Sequence, residues 1–306
     1  MRFVVPNKTP YVSAGSELGV DILALTSAMV ESVQEAWEVA IKPRMQAVRD
    51  MKLSQDDMKI GVDFFTEADV ESEKIIKSKI QEKFSPNTFR IFGEEVHAYE
   101  GNLNAPITIR IDPIDGTAQF KFGQAQWGIM VGAYVGRDAD ERQIAAVVYF
   151  PEYYNEIVFR IGDVGTFCAN LASGEITQYQ KMDSFDNFAD VLFKIHKSHD
   201  LTKRGNIDEL FLEINKLGGR IITGSPMDTK EALATRGRRV FITNKDWDQV
   251  DFILTSSLVM LGYKIFNFEG VPQNIDDPAL TGSNFILLPP GKIGDLVLKV
   301  MGQFHY

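Results

Sequence analysis

The stretch Ile107-Thr108-Ile109-Arg110-Ile111-Asp112-Pro113-Ile114-Asp115-Gly116-Thr117 constrains this chain more than any other. Its apolar, β-branched run reads as a buried strand ending in two aspartates three residues apart, with a proline and a glycine setting the turn around them. Two carboxylates at the mouth of a rigid strand repel each other unless positive charge lies between them. Hard oxygen donors select Mg²⁺ over zinc or copper. Gly116-Thr117 is placed to open a short helix whose free N–H groups face an anion. Metal plus anion points to phosphate chemistry.

The formal net charge of −10 argues against non-specific binding to a nucleic-acid polymer or an anionic membrane, which gains affinity from excess Lys and Arg. An acidic protein that handles phosphate must borrow positive charge, and a divalent cation is the source at hand. The single cysteine, Cys168, excludes an internal disulfide; it reads as a core residue and fits a reducing compartment. The apolar run in Met1–Pro6 is too short for a signal peptide, and no apolar stretch approaches the roughly 20 residues of a membrane span. The expected location is the cytoplasm.

Apolar residues at helical spacing from about Ser16 to Ile41 predict a long packing helix that Pro43 interrupts. Thr66-Glu67-Ala68-Asp69 has the form of a helix start, with Thr66 as N-cap and Asp69 reaching back to free N–H groups. That helix buries Val70, Ile76, Ile80 and Phe84 and should stop near Ser85-Pro86. Phe89 to Phe92 reads as a strand running into Gly93-Glu94-Glu95. After the opening stretch, the apolar runs 127–135, 143–150 and 156–161, joined by short turns, predict an antiparallel meander.

Beyond about residue 185 strands and helices alternate. Strands are predicted at 191–195, 220–223, 240–243, 264–268 and 285–288, and helices at 207–217, from Asp228, at 246–261 and at 294–301. The expected organisation is an α+β part over 1–184, carrying the metal and phosphate site on an antiparallel sheet. An α/β part over 185–306 would supply Asp248 and the specificity loops.

Three acidic features stand at element boundaries: Glu94-Glu95, the Asp112/Asp115 pair, and Asp248 in Asp246-Trp247-Asp248. Singly, each has a structural explanation. Asp248 suits a helix dipole, Asp69 caps a helix, and Glu94-Glu95 makes a solvated turn.

As an ordered set, the segments Asp63-Phe64-Phe65-Thr66-Glu67-Ala68-Asp69, Gly93-Glu94-Glu95, Asp112-Pro113-Ile114-Asp115-Gly116-Thr117 and Trp247-Asp248 resemble the inositol monophosphatase family. That family belongs to a superfamily of Mg²⁺-dependent, often lithium-sensitive phosphatases that includes fructose-bisphosphatases and bisphosphate nucleotidases. The resemblance implies a layered αβαβα sandwich and hydrolysis of a small phosphorylated metabolite with two or three Mg²⁺ ions. It implies that Glu94, Asp112 and the carbonyl of Ile114 hold one ion, and that Asp112, Asp115 and Asp248 hold a second. A third, looser ion would lie near Glu94, and the N–H groups of Gly116 and Thr117 would hold phosphate. Thr117, hydrogen-bonded to Asp69, would help Glu94 orient and deprotonate the attacking water. Gly224-Ser225-Pro226 aligns with a loop that lines the substrate pocket in relatives, and a homodimer is the common assembly.

The substrate is left open. Phe241 stands where inositol phosphatases carry the acid that touches the sugar hydroxyls, and Gln249-Val250-Asp251 replaces the usual small residues after Trp-Asp. Arg236, Arg238 and Arg239 read either as a solvated basic turn or as a second phosphate contact, as in a bisphosphate nucleotidase. Histidinol-phosphate and fructose-bisphosphate phosphatases are further readings within the superfamily; an inactive homologue acting as a metal-binding or regulatory partner is the non-enzyme reading. His196 and His199 lack a third histidine or a cysteine nearby for a zinc site. An EF-hand fails because aligning its glycine on Gly116 puts Ile111 at the first ligand position. A haloacid-dehalogenase motif fails because it needs an aspartate at Ile114, and no P-loop is present.

Overall fold

The computed structural model describes residues 19–50, 57–85, 87–121, 123–196, 207–222, 228–243, 249–277, 280 and 284–303. The chain divides into two compact units, one of residues 1–137 with 142–177 and one of residues 138–141 with 178–306.

In the first unit, helix α1 (Ile22–Ala36) starts at Asp21, whose carboxylate accepts the N–H groups of Leu23 and Ala24 at 2.9 and 3.2 Å. Pro43 does not break the helical path. A π-helical turn, Trp37–Ile41, leads directly into α2 (Lys42–Asp50), and Pro43 lies inside helical structure. A proline inside an α-helix leaves a carbonyl without its N–H and clashes with the preceding turn, at a cost of about 3 kcal/mol. Here the turn before it is already widened, with the Lys42 N–H bonded to the carbonyl of Trp37 five residues back. The apolar stripe continues across the join through Ala36, Trp37, Ala40, Ile41 and Met45, all buried.

Helix α3 spans Asp57–Lys83, so Thr66 lies in its interior and not at its start. A Thr-x-x-Asp pattern marks a beginning only where the upstream residues are not helical, and the stretch from Asp57 carries the helix two turns further back. Ala68, Ile76 and Ile80 are fully buried, while Val70 and Phe84 are half-buried. The helix stops at Lys83, just before Pro86.

The sheet of this unit comprises β1 (Phe89–Gly93), β2 (Tyr99–Gly101), β3 (Ile107–Asp115), β4 (Gly128–Val135), β5 (Arg142–Phe150), β6 (Glu156–Ile161), β7 (Gly165–Asn170) and β8 (Ile176–Gln178). Their order is β2-β1-β3-β4-β5-β6-β7-β8. The run from β3 to β7 is the antiparallel meander that the sequence predicts, but β1 and β3 pair in parallel. Alternation along β3 sends Ile107, Ile109 and Ile111 into a core with Leu25, Met29, Val33, Ile76 and Ile80 from the helices. Thr108, Arg110 and Asp112 alternate with them and are also buried. The guanidinium of Arg110 lies 4.1 Å from the Tyr134 ring, and the Tyr134 hydroxyl accepts from Gln143 at 3.0 Å. Cys168, on β7, is half-buried rather than a core residue. The three-residue edge strands β2 and β8 have no clear signal in the sequence, since neither has length enough for a period.

The second unit has a five-stranded mixed sheet in the order β10-β9-β11-β13-β12, formed by β9 (Leu192–His196), β10 (Arg220–Ile222), β11 (Arg239–Thr243), β12 (Lys264–Asn267) and β13 (Phe285–Leu288). Helices α5 (Ile207–Lys216) and α8 (Ile293–Met301) bury Leu210, Ile214, Val297 and Met301 against Phe193, Val240, Ile242 and Ile286. Of the single helix predicted over 246–261, residues 246–248 lie outside the described residues, and the remainder is a 3₁₀ turn, Gln249–Phe252, followed by α7 (Thr255–Met260). The break falls at Ile253-Leu254, and Thr255-Ser256-Ser257 open α7. Hydroxyls compete with the helical backbone, and that of Ser256 bonds both the Phe252 carbonyl at 3.1 Å and the Asp276 carboxylate at 2.5 Å. A short helix, α6 (Asp228–Ala234), completes the unit, and Gly262, with φ of 117°, ends α7. Among the described residues, no helix is long and apolar enough to cross a membrane.

Candidate active site

Residues three apart on a regular strand point to opposite faces, so Asp112 and Asp115 should diverge. They do not, because β3 carries a bulge between them. Asp112 pairs with Met130 and Asp115 with Gly128, so three steps on β3 match two on β4. The extra residue returns Asp115 to the side of Asp112. Their carboxylate oxygens come within 4.8 Å of each other. Pro113, which cannot donate to a ladder, sits inside this irregularity, where a proline does least damage. The Ile114 N–H bonds back to Asp112 Oδ1 at 3.1 Å, which fixes the buried carboxylate.

Gly116 comes next at φ 92°, in the left-handed region that favours glycine, and α4 (Thr117–Lys121) begins there. The resemblance implies a bond from the Thr117 hydroxyl to Asp69. In the structure that hydroxyl donates to the Ile114 carbonyl at 3.2 Å. Gly128, opposite Asp115, sits in tight space, since a Cβ there would lie 3.0 Å from the Phe150 ring and 3.2 Å from the Tyr149 carbonyl.

Glu94 reaches the same end of the sheet by a different route. Because β1 and β3 are parallel and Gly93 is level with Ile111, Glu94 leaves β1 beside Asp112 of β3. The Glu94 N–H bonds the Ile111 carbonyl at 3.1 Å, and the Glu95 N–H bonds Glu73 Oε2 at 3.0 Å. Asp69, Glu73 and Lys77 fall at four-residue spacing on one face of α3, and both Asp69 and Glu73 are buried. The sequence reading does not single out Glu73 or Lys77; the spacing from Asp69 is the signal that would have found them.

Asp248, Trp247, Gly224, Ser225, Pro226 and His199 lie outside the described residues, as do the side chains of Asp63, Thr66 and His196. Phe241 is buried on β11, its ring 6.4 Å from that of Tyr263. Burial pushes the Tyr263 phenol far above its ordinary range, and its hydroxyl donates to the Arg239 carbonyl at 2.7 Å. Each of the three arginines has a local partner. Arg236 pairs with Asp183 at 2.8 Å, the buried Arg239 pairs with Glu231, and Arg238 lies 6.0 Å from the Phe185 ring.

Two carboxylates within 4.8 Å of each other repel by at least about 3.5 kcal/mol at an effective dielectric of about 20, which a cation between them reverses. The donors on this side are carboxylate and carbonyl oxygens, the chemistry of Mg²⁺ rather than of a thiolate or imidazole metal, so these residues fit the implied ion.

Known proteins point the same way. A model of the inositol monophosphatase family matches residues 24–243. Among solved structures, a staphylococcal IMPase-II is 21% identical, with a TM-score of 0.68 over 92% of this chain and 94% of that one. The inositol monophosphatase of Anabaena (Nostoc) is 16% identical, with a TM-score of 0.65 over 93% and 96%. The extragenic suppressor protein SuhB of Bartonella henselae is 17% identical, with a TM-score of 0.65 over 91% and 99%. No curated protein matches the sequence. Likeness at these identities shows the fold, which is of the α/β class that the sequence predicts. With well over half of its length matched by the family model, the chain belongs to the inositol monophosphatase family.

Proposed function

We propose that this protein is a Mg²⁺-dependent phosphomonoesterase that hydrolyses a small phosphorylated metabolite, an inositol phosphate or a related sugar or polyol phosphate. The observation that carries the reading is the β3 bulge, which converges Asp112 and Asp115 immediately before Gly116-Thr117. Glu94, Asp112 and the Ile114 carbonyl would hold one ion, Asp112, Asp115 and Asp248 a second, and Glu94 a looser third. Bound Mg²⁺ supplies a water of lowered pKa and neutralises charge on the departing oxygen.

The chain's own groups do the rest. The N–H groups of Gly116 and Thr117 hold phosphate oxygens. The Thr117 hydroxyl, with its proton committed to the Ile114 carbonyl, is left as an acceptor that orients the attacking water. Glu94 takes the proton, and Asp69 supports this arrangement from α3.

Phe241 offers no acceptor for a substrate hydroxyl, which favours a sugar or polyol phosphate over inositol phosphate itself. The bisphosphate nucleotidase alternative needs free arginines, and Arg236 and Arg239 already hold Asp183 and Glu231. The Gly224-Ser225 loop is the proposed specificity element. The working form is proposed to be a cytoplasmic homodimer.

The test is phosphate release from inositol phosphates, sugar phosphates, histidinol phosphate, fructose bisphosphate and adenosine bisphosphate, each with Mg²⁺ and with EDTA. Mg²⁺-dependent turnover of a monophosphate supports the reading, and its absence from the whole panel refutes it.

A further inference from the structure

Glu73 is 2% exposed on α3, one helical turn beyond Asp69, and its two oxygens have separate partners. Oε2 accepts the Glu95 N–H at 3.0 Å. Oε1 lies 2.5 Å from Lys77 Nζ, which also reaches Glu100 at 2.5 Å. Burial alone would lower the Lys77 pKa, but the contacts with Glu100 and Glu73 outweigh it and leave it raised, so Lys77 is a charged partner. A buried carboxylate with a cationic partner and a backbone donor is retained at low cost, and hydrogen bonds to a charged acceptor are roughly twice as strong as neutral ones.

Gly93 shows how closely the turn is drawn to this carboxylate. Its φ is not in the left-handed region, yet a Cβ there would lie 2.2 Å from Glu73 Cδ and Oε1. A Cβ at this position would require the Glu73 carboxylate to move off the turn, breaking its contact with the Glu95 N–H. The same turn is tied to β3 by the Glu94 N–H on the Ile111 carbonyl, and closes on itself by the His97 N–H on the Gly93 carbonyl at 3.1 Å. Glu94 is therefore bracketed by two anchored amides, its own and that of Glu95.

We infer that Glu73 is a positioning residue for the reaction: its carboxylate, held by Lys77, clamps the Gly93-Glu94-Glu95 turn so that Glu94 leaves β1 beside Asp112. The inference rests on the reading of Glu94 and Asp112 as cation ligands, and it assigns Glu73 no contact with substrate or ion. Removing a group that orients a ligand typically weakens metal binding by about 10- to 100-fold.

The experiment uses the full chain as wild type, Glu73→Ala, Glu73→Gln, Gly93→Ala and the double variant Glu73→Ala/Gly93→Ala. Two quantities are read: Mn²⁺ affinity from the free-ion electron paramagnetic signal, and hydrogen exchange of the segment 93–98. In both Glu73 variants exchange at the Glu95 amide should quicken at least tenfold and Mn²⁺ affinity should fall, by about 10- to 100-fold in Glu73→Ala. Glu73→Gln keeps the volume while dropping the charge, so it supplies a folded sample if the alanine variant does not fold. Gly93→Ala should damage the wild type but add little to Glu73→Ala, because the clash is with the carboxylate that the second change removes. Folded Glu73 variants with unchanged exchange and unchanged Mn²⁺ affinity overturn the inference and leave the metal reading standing. A wild type that binds no Mn²⁺ overturns the metal reading and this inference with it.

Discussion

Asp115→Asn should raise the stability of the metal-free protein while abolishing its activity. The substitution removes one charge at nearly constant volume and leaves a carbonyl oxygen in place of the carboxylate oxygen. For oxygens within 4.8 Å the relieved repulsion is at least about 3.5 kcal/mol for an effective dielectric of about 20. Asp115 is half-buried, so solvent screens part of this, and about 1 kcal/mol is the working figure. For a domain of this size 1 kcal/mol moves the melting temperature by roughly 2–4 °C. Mg²⁺ reverses the order. A ligand at 100 times its Kd stabilises the wild type by about 2.7 kcal/mol, and the variant, lacking a donor, gains less. The assay is thermal unfolding of both proteins in EDTA and in saturating Mg²⁺, with phosphate release measured alongside. A variant that melts below the wild type in EDTA refutes the repulsion argument. A variant with the full Mg²⁺ shift, or with retained turnover, refutes the assignment of Asp115 as a ligand.

Gly128→Ala would press a methyl group to 3.0 Å from the Phe150 ring and should destabilise by about 1–3 kcal/mol in urea titration. Ile109→Ala, in the fully buried row of β3, should cost about 2–5 kcal/mol by the same measurement. The Tyr149 phenol is pushed up to about 12 by burial and then by the charge of Glu38. A folded value above the unfolded value of about 10 adds stability that is fully present below pH 10 and lost as pH rises toward 12. Tyr149→Phe should therefore lose less stability than the wild type between pH 9 and 11.5. Parallel stability curves over that range would show that the phenol is not shielded.

The site was legible where local chemistry determines it. Ile107 to Ile111 alternate with buried polar residues as one strand, and Pro113 and Gly116 mark the turn without reference to any other part of the chain. The bulge was not legible, because it is a property of pairing with Met130 and Gly128, which lie in another segment. Pro43 misleads for a related reason. Its cost depends on the turn before it, and a π turn is not written in a period of 3.6. Thr66 carries a valid capping pattern, but the helix already runs from Asp57 through it. Glu73 has one local signature, its four-residue spacing from Asp69 on α3, and its bearing on the Gly93 turn shows only in the contact between two distant segments.

The parallel pairing of β1 with β3 in an otherwise antiparallel run makes the rest of this end of the sheet possible. Had β1 run the other way, Glu94 would leave the sheet at its opposite end, about 15 Å away at 3.3 Å per residue, beyond the reach of any side chain. Parallel neighbours need a crossover of about a dozen residues. Here the segment from Glu94 to Pro106 supplies it, folding β2 back along β1 on the way. A crossover of that kind leaves its first residues free to drift. The hydrogen bonds donated by the Glu94 N–H to the Ile111 carbonyl and by the Glu95 N–H to the Glu73 carboxylate fall on those first two residues. Topology brings Glu94 to the end of β3, and α3, through Glu73, holds it there.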